Sequence, residues 1–225
     1  MILKFKFLIT LGIIALGSFQ PSLAKAADIT YNEAEVLLNN LSKTKIGEDD
    51  HNVRWVKPVN IIINVNEKIF FEYLDQQIKL INKHNSSISL NLKSKNPNFY
   101  IEIVDEETFT KKATAQGLMQ ASRENCAYRI DGAEQEILQA NVYIKDNINI
   151  SEMLNCIGRG IMKGLGIGDS HQNGILLSNS ALNPYVRSDP DLTNVDISIL
   201  NFHYAEDTEQ KSDSIKAFQK HILLK

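Results

Sequence analysis

Ser151-Glu152-Met153-Leu154-Asn155-Cys156-Ile157-Gly158-Arg159-Gly160-Ile161-Met162-Lys163-Gly164-Leu165-Gly166 is the stretch that organises the chain. Met153, Leu154, Ile157, Ile161, Met162 and Leu165 recur at the spacing of a helix with one buried stripe, while Asn155, Arg159 and Lys163 recur every four residues on another face. A helix-interior glycine costs about 1 kcal/mol relative to alanine, so this density needs a reason. Gly164 and Gly166 fit a C-terminal stop. Gly158 and Gly160 do not, and they predict a backbone, side chain or ligand pressed against the helix.

Outward from this helix, the spacing predicts helices over Thr30 to Ile46, Asn66 to Lys83, Glu106 to Gln120, Thr193 to Tyr204 and Asp213 to Leu224. Pro58 to Val65 contains the β-branched run Val59-Asn60-Ile61-Ile62-Ile63, the pattern of a buried central strand. Ile88 to Leu92 and Phe99 to Val104 alternate as strands do. Cys126 to Ile130 and Ile137 to Ile144 flank Asp131-Gly132, a hairpin signal. The order implies an α+β fold with a mixed β-sheet, flanking helices and a smaller C-terminal helical part.

The chain has 225 residues, 43% hydrophobic and 23% charged, which suits one globular domain and excludes disorder and a disulfide-knot scaffold. A formal charge of -3 and an isoelectric point near 6.0 argue against nucleic acid as a partner. Residues 1–26 read as a signal peptide: Lys4 and Lys6 precede the apolar run Phe7 to Phe19, and Ala24-Lys25-Ala26 has the small residues of a cleavage site. A periplasmic or secreted location follows. Removing that segment takes three lysines and no acid, which moves the charge from -3 to -6. In an oxidising compartment, Cys126 and Cys156 are expected to form one disulfide.

From Arg159 to Asp169 the sequence resembles the metzincin zinc-peptidase pattern H-E-x-x-H-x-x-G-x-x-H. Gly166 keeps the pattern's glycine. Arg159, Lys163 and Asp169 stand where the three ligands would be, and Gly160 stands where the general base would be. Gly174-Ile175-Leu176-Leu177-Ser178 looks like the Met-turn of that group, and Leu192-Thr193-Asn194-Val195-Asp196 like the start of the helix that follows it. The chain is also similar to a secreted bacterial family catalogued as a domain of unknown function. Its signatures are R-W-x-x-P-V, matched by Arg54-Trp55-Val56-Lys57-Pro58-Val59, and C-x-x-E-E-x-x-Q-x-L-G-L-x-N-D, matched in frame by Cys156, Leu165, Gly166 and Ile167. The resemblance implies a zincin-like domain over 53–205, preceded by an N-terminal helical extension over 27–52 and followed by a C-terminal amphipathic helix over 206–225.

Zinc requires imidazoles or anionic groups, and Arg159 and Lys163 are cations one turn apart, so no metal and no cofactor is expected at these cleft positions. Arg159, Lys163 and Asp169 fit an internal salt-bridge cluster or a weak anion or carboxylate site. The histidines are His51, His84, His171, His203 and His221, with no two within a turn; His171 and His203 with Asp169 are candidates for a relocated polar or metal site, against ordinary surface histidines. No G-x-S-x-G elbow, P-loop or dinucleotide glycine pattern is present. The C-terminal segment carries Lys211, Lys216, Lys220 and Lys225 beside Ile215, Phe218, Ile222 and Leu223, so contact with a membrane is open only through it or through an uncleaved signal. Two functions stay open: a non-catalytic exported module that binds an unknown protein or peptide partner, and a hydrolase with unconventional residues.

Overall fold

The computed structural model describes residues 29–46, 49–92, 95–115, 125–133, 135–168, 177, 179–183, 187 and 189–222. The signal-like segment lies outside them. The elements run α1 (Tyr31–Leu41), β1 (Thr44–Ile46), β2 (Asp49–His51), β3 (Val59–Ile63), α2 (Lys68–His84), β4 (Leu90–Leu92) and β5 (Phe99–Val104). They continue with α3 (Glu106–Ala115), β6 (Cys126–Ala133), β7 (Glu136–Lys145), α4 (Ile150–Gly164), α5 (Asn194–Tyr204) and α6 (Thr208–His221). The fold is α+β. Its main sheet has the order β4-β3-β5-β7-β6, parallel except for β6, which is antiparallel to β7.

Local chemistry explains where these elements begin and stop. Thr30 and Glu33 form a reciprocal capping box that starts α1. The helix expected to reach Ile46 ends at Leu41, because Thr44 to Ile46 instead pairs with Asp49 to His51 in a two-stranded ribbon. Asp207 accepts a hydrogen bond from the Gln210 amide at 2.8 Å, so α6 begins before the expected Asp213. Asp131-Gly132 is not the hairpin turn. The strand continues through both residues with a bulge between them, and Gly132 is required by closeness: a Cβ there would lie 2.5 Å from the Glu136 carbonyl oxygen.

One face of the sheet carries the core. Val59, Ile61 and Ile63 of β3, Phe99 and Ile101 of β5, and Ala140, Val142 and Ile144 of β7 are buried together with α2, α4 and α5. The opposite face is covered over β6 and β7, where Phe109 and Ala113 of α3 pack on Ala127 and Tyr143. Ile62 is therefore 39% exposed, and β3 is buried on one face rather than on both as its unbroken apolar run suggested. The two ends of the chain meet: α1 packs on α5 and α6, and Ala34, Leu38, Ile215, Phe218 and Ile222 belong to the same core as the sheet.

Candidate functional site: the α4 frame

Asn149 caps α4 by accepting from the Glu152 amide at 2.9 Å. Each glycine of the helix then meets a neighbour. A Cβ on Gly160 would lie 2.7 Å from Val142 Cγ1, and one on Gly158 would lie 2.8 Å from the Tyr73 hydroxyl and 3.2 Å from the Pro190 oxygen. One on Gly164 would overlap the Phe99 ring. The close neighbours predicted for Gly158 and Gly160 are thus side chains of α2 and β7 together with the backbone at Pro190, while the contact of Gly164 with Phe99 of β5 was not foreseen. Gly160 faces the sheet, where Val142 leaves no room for a larger side chain.

The C-terminal end of α4 is closed by a Schellman arrangement. Gly166 has φ +91°, its amide bonds to the Lys163 oxygen at 2.9 Å, and the Ile167 amide bonds to the Met162 oxygen at 3.2 Å. Two side chains satisfy the remaining carbonyls. Trp55 Nε1 donates to the Gly164 oxygen at 2.8 Å, and the Tyr204 hydroxyl donates to the Leu165 oxygen at 2.9 Å. The Gly168 amide continues to the Leu41 oxygen at 2.7 Å, tying this corner to α1. The tryptophan was visible in the sequence as part of a signature. Its role as a cap was not, because it lies 109 residues from its partner.

The polar row is covered. Asn155, Arg159 and Lys163 are only 7%, 9% and 8% exposed. The amide of Asn155 bonds to the Ser151 oxygen and to both the amide and the carbonyl of Arg187, while Arg159 Nη2 donates to the Asn183 oxygen at 2.9 Å. Backbone of the irregular segment before α5 therefore lies over the row. Asp169, Ser170 and His171, and the Met-turn-like residues except Leu177, lie outside the described residues.

Asp196 anchors that covering segment. It is fully buried and accepts from Ser180 Oγ at 2.5 Å, from the Ala181 amide at 2.9 Å and from the Thr193 amide at 2.8 Å, completing a capping box with Thr193. Burial raises its carboxyl above the ordinary range, and these hydrogen bonds, with the Arg187 charge, oppose the rise. The sequence placed the start of this helix at Thr193, where the cap stands. Its second attachment, to Ser180 and Ala181, is tertiary.

His203 is a core residue rather than a surface one. Its Nε2 lies 2.9 Å from the Val53 oxygen and donates to it, while Nδ1 is buried without a hydrogen-bond partner. Desolvation, followed by the nearby Arg54 charge, pushes its pKa down to about 3. Among the described residues no group of three or more His, Cys, Asp or Glu side chains is arranged to hold a metal ion. Cys126, at the start of β6, and Cys156, in the second turn of α4, form a disulfide with a Cα–Cα distance of 5.8 Å. Among the described residues no helix is long and apolar enough to cross a membrane. Compared with protein-family models, curated proteins and solved structures, the chain matches none.

Proposed function

We propose that this protein is an exported, non-catalytic binding or envelope-associated module built on a degenerate zincin-like frame. One observation carries the proposal: among the positions matching the zinc pattern, Gly160 is filled by packing and Arg159 and Lys163 are cations. Gly160 abuts Val142, and Arg159 and Lys163 form a buried row under the segment at Asn183. A divalent ion beside that row would meet two cationic side chains where ligands would stand, and Gly160 supplies no carboxylate to activate its water. The frame itself is supported by Gly166 at the helix stop with positive φ, by the Thr193 and Asp196 capping box, and by a mixed sheet with flanking helices. Periplasmic or secreted location is supported by the disulfide pair and by the signal-like first 26 residues.

The test is metal analysis of untagged protein together with incubation against an unfolded protein substrate, with and without chelator. The expected outcome is no stoichiometric metal and no cleavage. Chelator-sensitive cleavage that disappears in Lys163→Ala would establish the hydrolase instead.

A further inference from the structure

Arg54 is a partly buried cation with no ion-pair partner among the described residues. Its Nη1 donates to the Ala205 oxygen at 3.3 Å, which holds the guanidinium beside Glu206 at the wall of a groove of about 450 Å³. This bond uses one nitrogen and leaves the Nε and Nη2 edge, which bonds to none of the described residues and is open to solvent. That edge is the fork that matches a carboxylate with two parallel hydrogen bonds. Ser86, Ser87 and Ser89 also line the groove, and their hydroxyls bond to none of the described residues, so each is free to turn and donate into it. Two acids lie near. Glu136 is paired with Lys57 at 3.3 Å, and Glu206 is exposed and pairs with neither cation. Two cations and two acids offset each other, so recognition here rests on contact with the Arg54 fork rather than on a long-range field.

An apolar wall stands next to the fork. Val53 and Trp55 are buried while Arg54 and Val56 face outward, so the last two share one side of an extended segment. Val56 is 68% exposed, and Pro58 continues the wall. We propose that this groove binds the C-terminal residue of a peptide, with its free carboxylate on Arg54 Nε and Nη2 and an apolar side chain on Val56 and Pro58. A terminal residue carries both groups on one carbon, as the adjacent fork and wall require. The site is independent of the reading given to the α4 frame, which metal analysis and cleavage assays test separately.

The test is a nuclear magnetic resonance titration of the full chain with Nα-acetyl-leucine, beside Nα-acetyl-leucinamide as the uncharged control and inorganic phosphate as a second oxyanion. It is read at the amides of Val56 and Ser87 and at the indole of Trp55, the single tryptophan of the chain, which adjoins the groove. Saturable shifts are expected with the free acid alone. Arg54→Lys keeps the charge and loses the fork, and should weaken binding at least about tenfold. Glu206→Gln removes an exposed like charge and should tighten binding about twofold to fivefold. The Glu206 side chain is on the surface, so this variant keeps the test valid if Arg54→Lys disturbs the contact with Ala205. No saturable response to the acid, an equal response to the amide, phosphate binding as tight as the acid, undiminished affinity in Arg54→Lys, or weaker binding in Glu206→Gln would each overturn the proposal.

Discussion

Burial of His203 turns an ordinary imidazole into a group that stays neutral far into the acid range. In the unfolded chain it takes up a proton near pH 6.5, and in the folded chain only near 3. Between those values the unfolded state binds more protons, so the stability is fully present above pH 6.5 and is lost as pH falls toward 3. Asp196 acts in the opposite sense: its raised carboxyl contributes stability on the acid side that is lost as pH rises. The two are separated by comparison with His203→Gln, which keeps a donor for the Val53 oxygen. The gap between wild type and variant in urea denaturation should narrow below pH 6.5 by at most about 1.4 kcal/mol per pH unit. A constant gap from pH 7 to 4 would show that His203 is not held neutral. At this scale the sequence announced close approach through Gly158 and Gly160, because only a crowded neighbour justifies glycine inside a helix. It could not name Tyr73 and Val142, which arrive from other elements. Nor could it place His203 in the core, since nothing in Asn201-Phe202-His203-Tyr204 distinguishes an inward imidazole from an outward one.

The helix α4 shows how an element depends on residues outside itself. Its stop was legible, because Gly166 and Ile167 supply a local motif. The satisfaction of its last carbonyls depends on Trp55 and Tyr204, which reach it from distant parts of the chain. Trp55→Phe keeps most of the apolar volume and leaves the buried Gly164 oxygen without its donor, so it should lower stability by about 1–3 kcal/mol. Thermal and urea denaturation would measure this, and a change within about 0.5 kcal/mol, as at ordinary surface sites, would show that the bond is dispensable. The Asp131-Gly132 pair teaches the converse. Its composition suits a turn, yet the register of β6 against β7 carries the strand through it, and the glycine serves a bulge. A dipeptide preference is worth less than a ladder of sheet hydrogen bonds, so the ladder wins.

At the scale of the molecule, α1 and α6 close one end of the fold against α5. Phe218 and Ile222 are fully buried and Ile215 is 1% exposed, so the apolar face that a membrane would need is already covered by the protein's own core. Phe218→Ala should therefore cost about 3–5 kcal/mol, measured as a shift of the urea midpoint at unchanged slope. A loss below about 1 kcal/mol would mean that α6 docks loosely and remains available for other surfaces. The segments over 27–52 and 206–225 look like appendages in the sequence because each contains one amphipathic helix and no partner nearby in the chain. Folding makes them partners of each other. The sequence by itself determined most of the element types, the α+β class and the pairing of the two cysteines, since these follow from periodicity and from there being two cysteines in the chain. Only the tertiary structure decided that the Asn155, Arg159 and Lys163 row is covered and that Gly160 faces Val142. Those facts depend on which distant backbone lies over which face, and contacts between elements far apart in the chain leave no mark in local spacing.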